Sequence, residues 1–183
     1  MAKILLGIDE VGRGCLAGPL YAAAVILKNP INGLNDSKLL SRDERERLYD
    51  LIYNNSLFVG IGVADSNYID KYGLTKANSY AMEQALRSLK VEYDKIIIDG
   101  NYNYLSKMLN VETMVKADQK CPAVSAASII AKVSRDRLMF NYDKQYPGYG
   151  FINYVGYPTK QHYLAIEKIG LTPIHRKTFK LFR

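Results

Sequence analysis

Residues 3–14, Lys3-Ile4-Leu5-Leu6-Gly7-Ile8-Asp9-Glu10-Val11-Gly12-Arg13-Gly14, carry the reading of the fold. Ile4, Leu5, Leu6 and Ile8 form an apolar run that reads as a buried strand over residues 3–9. The strand ends in a carboxylate, a second carboxylate follows at once, and a glycine-rich turn comes next, through Gly12, Arg13 and Gly14 and on to Gly18-Pro19. Strand ends are where α/β folds assemble sites, because the sheet fixes side chains while the loops beyond it leave access. Gly12, Gly14 and Gly18 also approximate a dinucleotide-binding fingerprint. That fingerprint requires a helix directly after the glycines. Here Pro19 and another apolar run follow, and an acid pair lies close to where a pyrophosphate would sit.

Outward from this stretch, strands and helices alternate. Residues 20–27 read as a second strand, although their alanines are ambiguous, and Pro30, Gly33 and Asn35 mark a loop after it. Ser41-Arg42-Asp43-Glu44 fits a capping box opening a helix to about residue 54. Residues 57–63 read as a third strand. Ala77, Ala81, Met82, Ala85 and Leu89 recur at helical spacing within 74–89. Residues 95–99 and 111–115 read as two more strands. A long helix is predicted over 123–142, with Pro122 suited to its first turn. A Gly/Tyr/Pro loop spans 146–158, Thr159 caps a last helix to about residue 169, and a basic tail closes the chain over 171–183. With no repeat and no domain boundary, the pattern predicts one α/β domain over 1–183, built on a mixed sheet.

Composition narrows the function. The 183 residues carry a formal charge of +7, with 48% hydrophobic and 23% charged side chains, a globular balance. No run approaches the ~18 apolar residues of a membrane span, and the first residues do not form a signal peptide. Cys15 and Cys121 lack metal-ligand spacing, and with only two histidines a zinc site rich in these ligands is not expected. A reducing, cytoplasmic setting is expected. Residues 1–100 carry a net charge of −1 and residues 101–183 a net +8. Such a basic half suits a polyanion such as nucleic acid, and equally a solvated surface.

The acids carry the sharpest chemical signal. Asp9 ends the first strand with Glu10 beside it, Asp99 ends the 95–99 strand, and Asp118 precedes the long helix. Brought together, four carboxylates would repel one another unless divalent cations lay among them. An oxygen-only set suits Mg²⁺ or Mn²⁺. Two such ions about 4 Å apart activate water and stabilise the leaving oxygen at a phosphodiester. Singly, each acid reads as a cap or turn residue, and the sequence alone does not bring Asp9, Asp99 and Asp118 together in space.

Taken in order, Asp9-Glu10-Val11-Gly12-Arg13-Gly14, Asp36-Ser37-Lys38, Ile98-Asp99-Gly100, Lys116-Ala117-Asp118, the run from Ser125 to Arg137, Gly156-Tyr157-Pro158-Thr159-Lys160 and His175-Arg176-Lys177-Thr178-Phe179 resemble the signature of type 2 ribonuclease H, ribonuclease HII. The Gly-Arg-Gly form of the first motif separates it from ribonuclease HIII. The resemblance implies a ribonuclease H-like fold: a five-stranded mixed sheet flanked by helices, with a basic C-terminal helical segment at about 143–183. It implies endonucleolytic cleavage of the RNA strand in RNA–DNA hybrids, and cleavage 5′ to ribonucleotides embedded in duplex DNA. The products would carry 3′-hydroxyl and 5′-phosphate ends, in the service of ribonucleotide excision and RNA primer removal. Asp9, Glu10, Asp99 and Asp118 match the catalytic residues that hold two Mg²⁺ or Mn²⁺ ions. Gly12, Arg13 and Gly14 match the loop that reads the ribose 2′-hydroxyl at the RNA–DNA junction, and Tyr157 matches the aromatic that stacks on the deoxyribose beyond it. Lys38 and Lys160 are expected to contact phosphates.

Asp136 is read as structural, bonding a neighbouring turn, and Cys15 as packing. The end, residues 177–183, loosely resembles a sliding-clamp-binding tail but lacks its glutamine and paired aromatics, so a solvated tail is the favoured reading. A monomer is expected. Two rivals stand: a metal-independent ribonuclease using His162, His175 and a lysine, and a binding module without catalysis.

Overall fold

The computed structural model describes residues 3–182. Its sheet has five strands: β1 (Leu5–Val11), β2 (Leu20–Leu27), β3 (Ser56–Ala64), β4 (Lys95–Asp99) and β5 (Val111–Met114). They lie in the order β3-β2-β1-β4-β5. β1 pairs antiparallel with β2 and parallel with β4; β2–β3 is antiparallel and β4–β5 parallel. The predicted ribonuclease H-like mixed sheet is therefore present, with β1 at its centre.

Three helices pack on it, α1 (Arg42–Asn54), α2 (Ser66–Ala85) and α3 (Pro122–Gln145), and α4 (Phe151–Tyr154) and α5 (Lys160–Ile169) follow beyond α3. Leu6, Ile8, Ala22, Ala24, Ile96 and Ile98 face α2, where Ala77, Ala81, Met82 and Ala85 pack on them. Ala23 and Val25 belong to the opposite row and meet α1 and α3 through Leu48, Ile52, Ala126 and Ile130. Gly7 lets α3 approach β1 closely, since a Cβ there would stand 2.2 Å from the carbonyl carbon of Ala123. A third cluster joins Leu16 and Ala17, Met139 of α3, Phe151 of α4 and Ala165 and Ile166 of α5. It seats the C-terminal segment on the glycine-rich turn.

Several boundaries differ from the sequence-based expectation. β1 runs on through Glu10 and Val11, which pair with Ala22 and Tyr21. The helix expected over 74–89 starts earlier, at an N-cap on Asp65, and is kinked at Gly73 (φ 80°, ψ 164°). Ser41 and Glu44 form the full capping box. The tail is solvated only in part: Lys177, Thr178, Lys180 and Phe182 are exposed, but Leu181 is buried and Phe179 half-buried against the domain, while Asp70 accepts the N–H groups of Lys177 and Thr178. Arg183 of that tail lies outside the described residues. Among the described residues no helix is long and apolar enough to cross a membrane.

Candidate active site

The parallel register pairs Leu6 with Ile96 and Ile8 with Ile98, so Asp9 and Asp99 stand side by side one residue further on. Strand alternation then separates the two acids of β1. Glu10 continues the row of Leu6 and Ile8 toward α2, where Asn78 lies next to it. Asp9 continues the other row toward α3, beside Ser128. Asp118 arrives from a 3₁₀ turn, Ala117–Gln119, entered through Lys116 in the left-handed region. That turn is tied to the end of β4, because Asp99 Oδ1 accepts the Ala117 N–H at 2.7 Å. Ser125 then bonds the Asp118 carbonyl at 2.6 Å and joins the turn to α3. The sheet and one hydrogen-bonded turn thus bring the Asp9–Glu10 pair together with Asp99 and Asp118, distant in sequence, at one end of the β1–β4 pair.

Their electrostatics record the crowding. Burial, followed by the charges of Glu10 and Asp99, raises Asp9 well above the usual carboxylate range. Burial raises Glu10 too, against the pull of Arg13, whose guanidinium lies 3.3 Å from Glu10 Oε1. Burial, then Asp99 and Asp36, push Asp118 up to about 6. Glu10 Oε2 is buried and has no hydrogen-bond partner among the described residues. Both amide atoms of the fully buried Asn78 are likewise unpaired; Asn78 favours the charged form of Glu10 without closing a hydrogen bond to it.

Among the described residues no three Asp, Glu, His or Cys side chains are placed to ligate one ion as they stand. The chemistry of the set nevertheless fits a hard divalent cation. It offers only oxygens, it is strained by its own negative charge, and it leaves a carboxylate oxygen unpaired in a buried position.

A cleft of about 310 Å³ opens over Asp9 and Glu10, lined also by Ser37, Lys38, Lys132 and Tyr157, while Asp99 and Asp118 stand outside its lining. Arg13 and Gly14 are exposed at the turn after β1, and Gly12 is buried at φ 92°. A side chain at Gly12 would face the strain of that φ, and its Cβ would meet Arg135 Nε at 2.4 Å. Lys38 is exposed on the rim, and the Ser37–Ser128 bond of 2.9 Å ties its loop to α3. Lys160 is exposed in the first turn of α5 and does not line the cleft. Asp136 pairs with Lys132, on the preceding turn of α3, at 2.9 Å. Cys15 is fully buried, and burial raises its thiol, as a packing role requires. Ser37, Ser128, Lys132 and Asn78 join the site without a sequence pattern that assigns them a role. The first three lie inside the Asp36–Lys38 and Ser125–Arg137 motifs, whereas nothing around Asn78 marks it.

The two histidines form a closed relay. The Thr172 N–H donates to His175 Nδ1 at 2.9 Å, which leaves the His175 proton on Nε2. That Nε2–H donates to His162 Nε2 at 3.1 Å, and His162 Nδ1–H donates to the Tyr157 carbonyl at 3.0 Å. Both rings are buried, and burial lowers both pKa values, that of His175 to about 4. Neutral, enclosed and fully engaged, they do not serve acid–base chemistry on a phosphodiester. Their relay instead holds the backbone that carries Tyr157.

Comparison with known proteins agrees with this geometry. The family model described as Ribonuclease HII matches residues 6–182. A ribonuclease HII of Enterococcus faecalis is 48% identical over 179 residues, covering 97% of this chain and 69% of the relative. One from Coxiella burnetii is 48% identical over 185 residues, covering 98% of this chain and 90% of the relative. Among solved structures, the ribonuclease H2 of Pyrococcus horikoshii superposes with a TM-score of 0.80 at 27% identity, covering 97% of this chain and 94% of that one.

Proposed function

Because the chain belongs to the ribonuclease HII family, divalent-metal-dependent endonucleases of the ribonuclease H class, we propose that it cuts the RNA strand of RNA–DNA hybrids and the 5′ side of ribonucleotides embedded in duplex DNA. The products carry 3′-hydroxyl and 5′-phosphate ends, and the tasks served are ribonucleotide excision and primer removal in the cytoplasm. One juxtaposition supports this reading most: Asp9 and Glu10 open into the same cleft as Lys38 and Tyr157, beside the exposed turn at Arg13 and Gly14.

Asp9, Glu10, Asp99 and Asp118 are assigned to hold two Mg²⁺ or Mn²⁺ ions. When bound, such ions supply the Lewis acidity that activates water and offset the charge growing on the departing 3′-oxygen. The protein's own residues do the rest. Arg13 steadies Glu10. The backbone amides around Gly12, Arg13 and Gly14 take the 2′-hydroxyl, the group that distinguishes RNA from DNA. The Tyr157 ring lies against the next sugar, where a further hydroxyl would spoil the apolar contact. Lys38, Lys160 and the basic C-terminal segment hold phosphates, so affinity falls as salt rises. The chain acts as one catalytic domain and as a monomer.

The test is a DNA duplex containing one ribonucleotide, incubated with Mg²⁺ or with chelator. Expected is a single cut 5′ to the ribonucleotide that leaves a 3′-hydroxyl and is abolished by chelator. Cleavage that survives chelator, or that leaves a 2′,3′-cyclic phosphate, would refute the proposal.

A further inference from the structure

Two arginines, Arg135 on α3 and Arg176 beyond α5, are fully buried and have no carboxylate partner among the described residues. Their guanidinium groups are spent on backbone carbonyls. Arg135 donates to Pro19, Val155 and Ala17 at 2.9, 2.8 and 3.1 Å. Arg176 donates to Gly12 at 2.6 Å, to Arg13 at 2.8 Å, and twice to Gly18 at 3.0 and 2.8 Å. Arg176 therefore grips two consecutive peptide groups of the glycine turn.

The orientation of those peptides follows. Every peptide bond among the described residues is trans, so each carbonyl points away from the N–H of the residue after it. With the Gly12 and Arg13 carbonyls drawn inward, the N–H groups of Arg13 and Gly14 point outward. Neither is engaged by another backbone group among the described residues, and both residues are exposed. We infer that Arg176 is a positioning residue for substrate specificity, holding the Gly12 and Arg13 carbonyls so that the Arg13 and Gly14 amides face the ribose 2′-hydroxyl. This rests on the assignment of the glycine turn given above.

Arg176 is itself well anchored. Its N–H donates to the Leu16 carbonyl at 2.8 Å, His175 bridges Ala17, and Asp70 of α2 accepts the two N–H groups that follow. Burial lowers the guanidinium to about 10, so it stays charged at neutral pH. A cation behind the carbonyls polarises each peptide and makes its outward N–H a better donor. Arg135 grips carbonyls outside Gly12 and Arg13 and provides a matched comparison.

The test compares kcat/KM on two duplexes, one with a single ribonucleotide and one with its 2′-fluoro analogue, for the wild type, Arg176→Lys and Arg135→Lys. Lysine keeps the charge but loses the fork. Arg176→Lys should lose about tenfold to a hundredfold on the ribonucleotide and much less on the analogue, so that the discrimination collapses. Arg135→Lys should lose the same factor on both. Equal losses for Arg176→Lys would overturn the inference. A wild type that treats the two duplexes alike would instead sink the assignment of the glycine turn itself. A measurement on the wild type does not depend on how the variants fold. With divalent metal withheld, the ribonucleotide duplex should move the Arg13 and Gly14 amide proton resonances downfield more than the analogue does. Equal movement would overturn the outward aim.

Discussion

Asp118→Asn should make the protein more stable while removing its activity. Burial and the Asp99 and Asp36 charges hold Asp118 at about 6 against an ordinary 3.8. That gap corresponds to about 3 kcal/mol borne by the folded state when the carboxylate is charged. Salt and solvent reduce it, leaving about 1–2 kcal/mol. The sign follows from the direction of the shift. An acid raised on folding opposes the fold while ionised, so its cost is full above about pH 6, fades below that, and is gone below the unfolded value of 3.8. Asparagine keeps the shape, and the Asp118 carbonyl still accepts from Ser125. Urea unfolding at pH 8 with chelator should therefore show the variant more stable by about 1–2 kcal/mol, or about 2–8 °C in Tm for a chain of this size. The advantage should shrink toward pH 4, and also in Mg²⁺, which relieves the same repulsion in the wild type. A variant equal to or less stable than the wild type at pH 8 in chelator would refute the reasoning.

Asp9→Asn should lower kcat by about a hundredfold or more while hybrid affinity persists; a variant that turns over at the wild-type rate would remove Asp9 from the catalytic set. Tyr157→Ala should lose about tenfold more on a single embedded ribonucleotide than on a long hybrid, and equal losses in steady-state kinetics would contradict a junction role. His175, lowered to about 4, contributes stability that is complete above pH 6.5 and is lost as pH falls toward 4. The stability difference between the wild type and His175→Gln should therefore drop by about 3 kcal/mol over that window in urea titrations, and a constant difference would contradict the neutral relay.

The legible parts of this chain are those governed by local rules. The apolar run before Asp9, the Ser41–Glu44 box and the Thr159 cap are one-dimensional signals, and each element formed. The strand continues two residues past its apolar pattern because Glu10 and Val11 gain ladder partners on β2, which sequence periodicity does not register. The Gly73 kink was hidden for a related reason: the apolar spacing resumes after it, and the Asp65 cap lies about two turns upstream. The meeting of Asp9 with Asp99 depends on a parallel register between segments some 90 residues apart, so only the family resemblance suggested it in advance. Arg135 and Arg176 were opaque because their partners are backbone carbonyls, which any residue can supply, and the histidine relay because it pairs two rings thirteen residues apart across a helix and a loop.

The claim beneath the rest is that Asp9, Glu10, Asp99 and Asp118 jointly seat divalent cations beside the turn that reads the sugar. Anomalous scattering from crystals grown with Mn²⁺ and an uncleaved duplex bearing one ribonucleotide measures this directly. The account predicts manganese peaks among those four carboxylates, next to the phosphate 5′ of the ribonucleotide. Manganese bound elsewhere, with these four side chains free of metal, would contradict it.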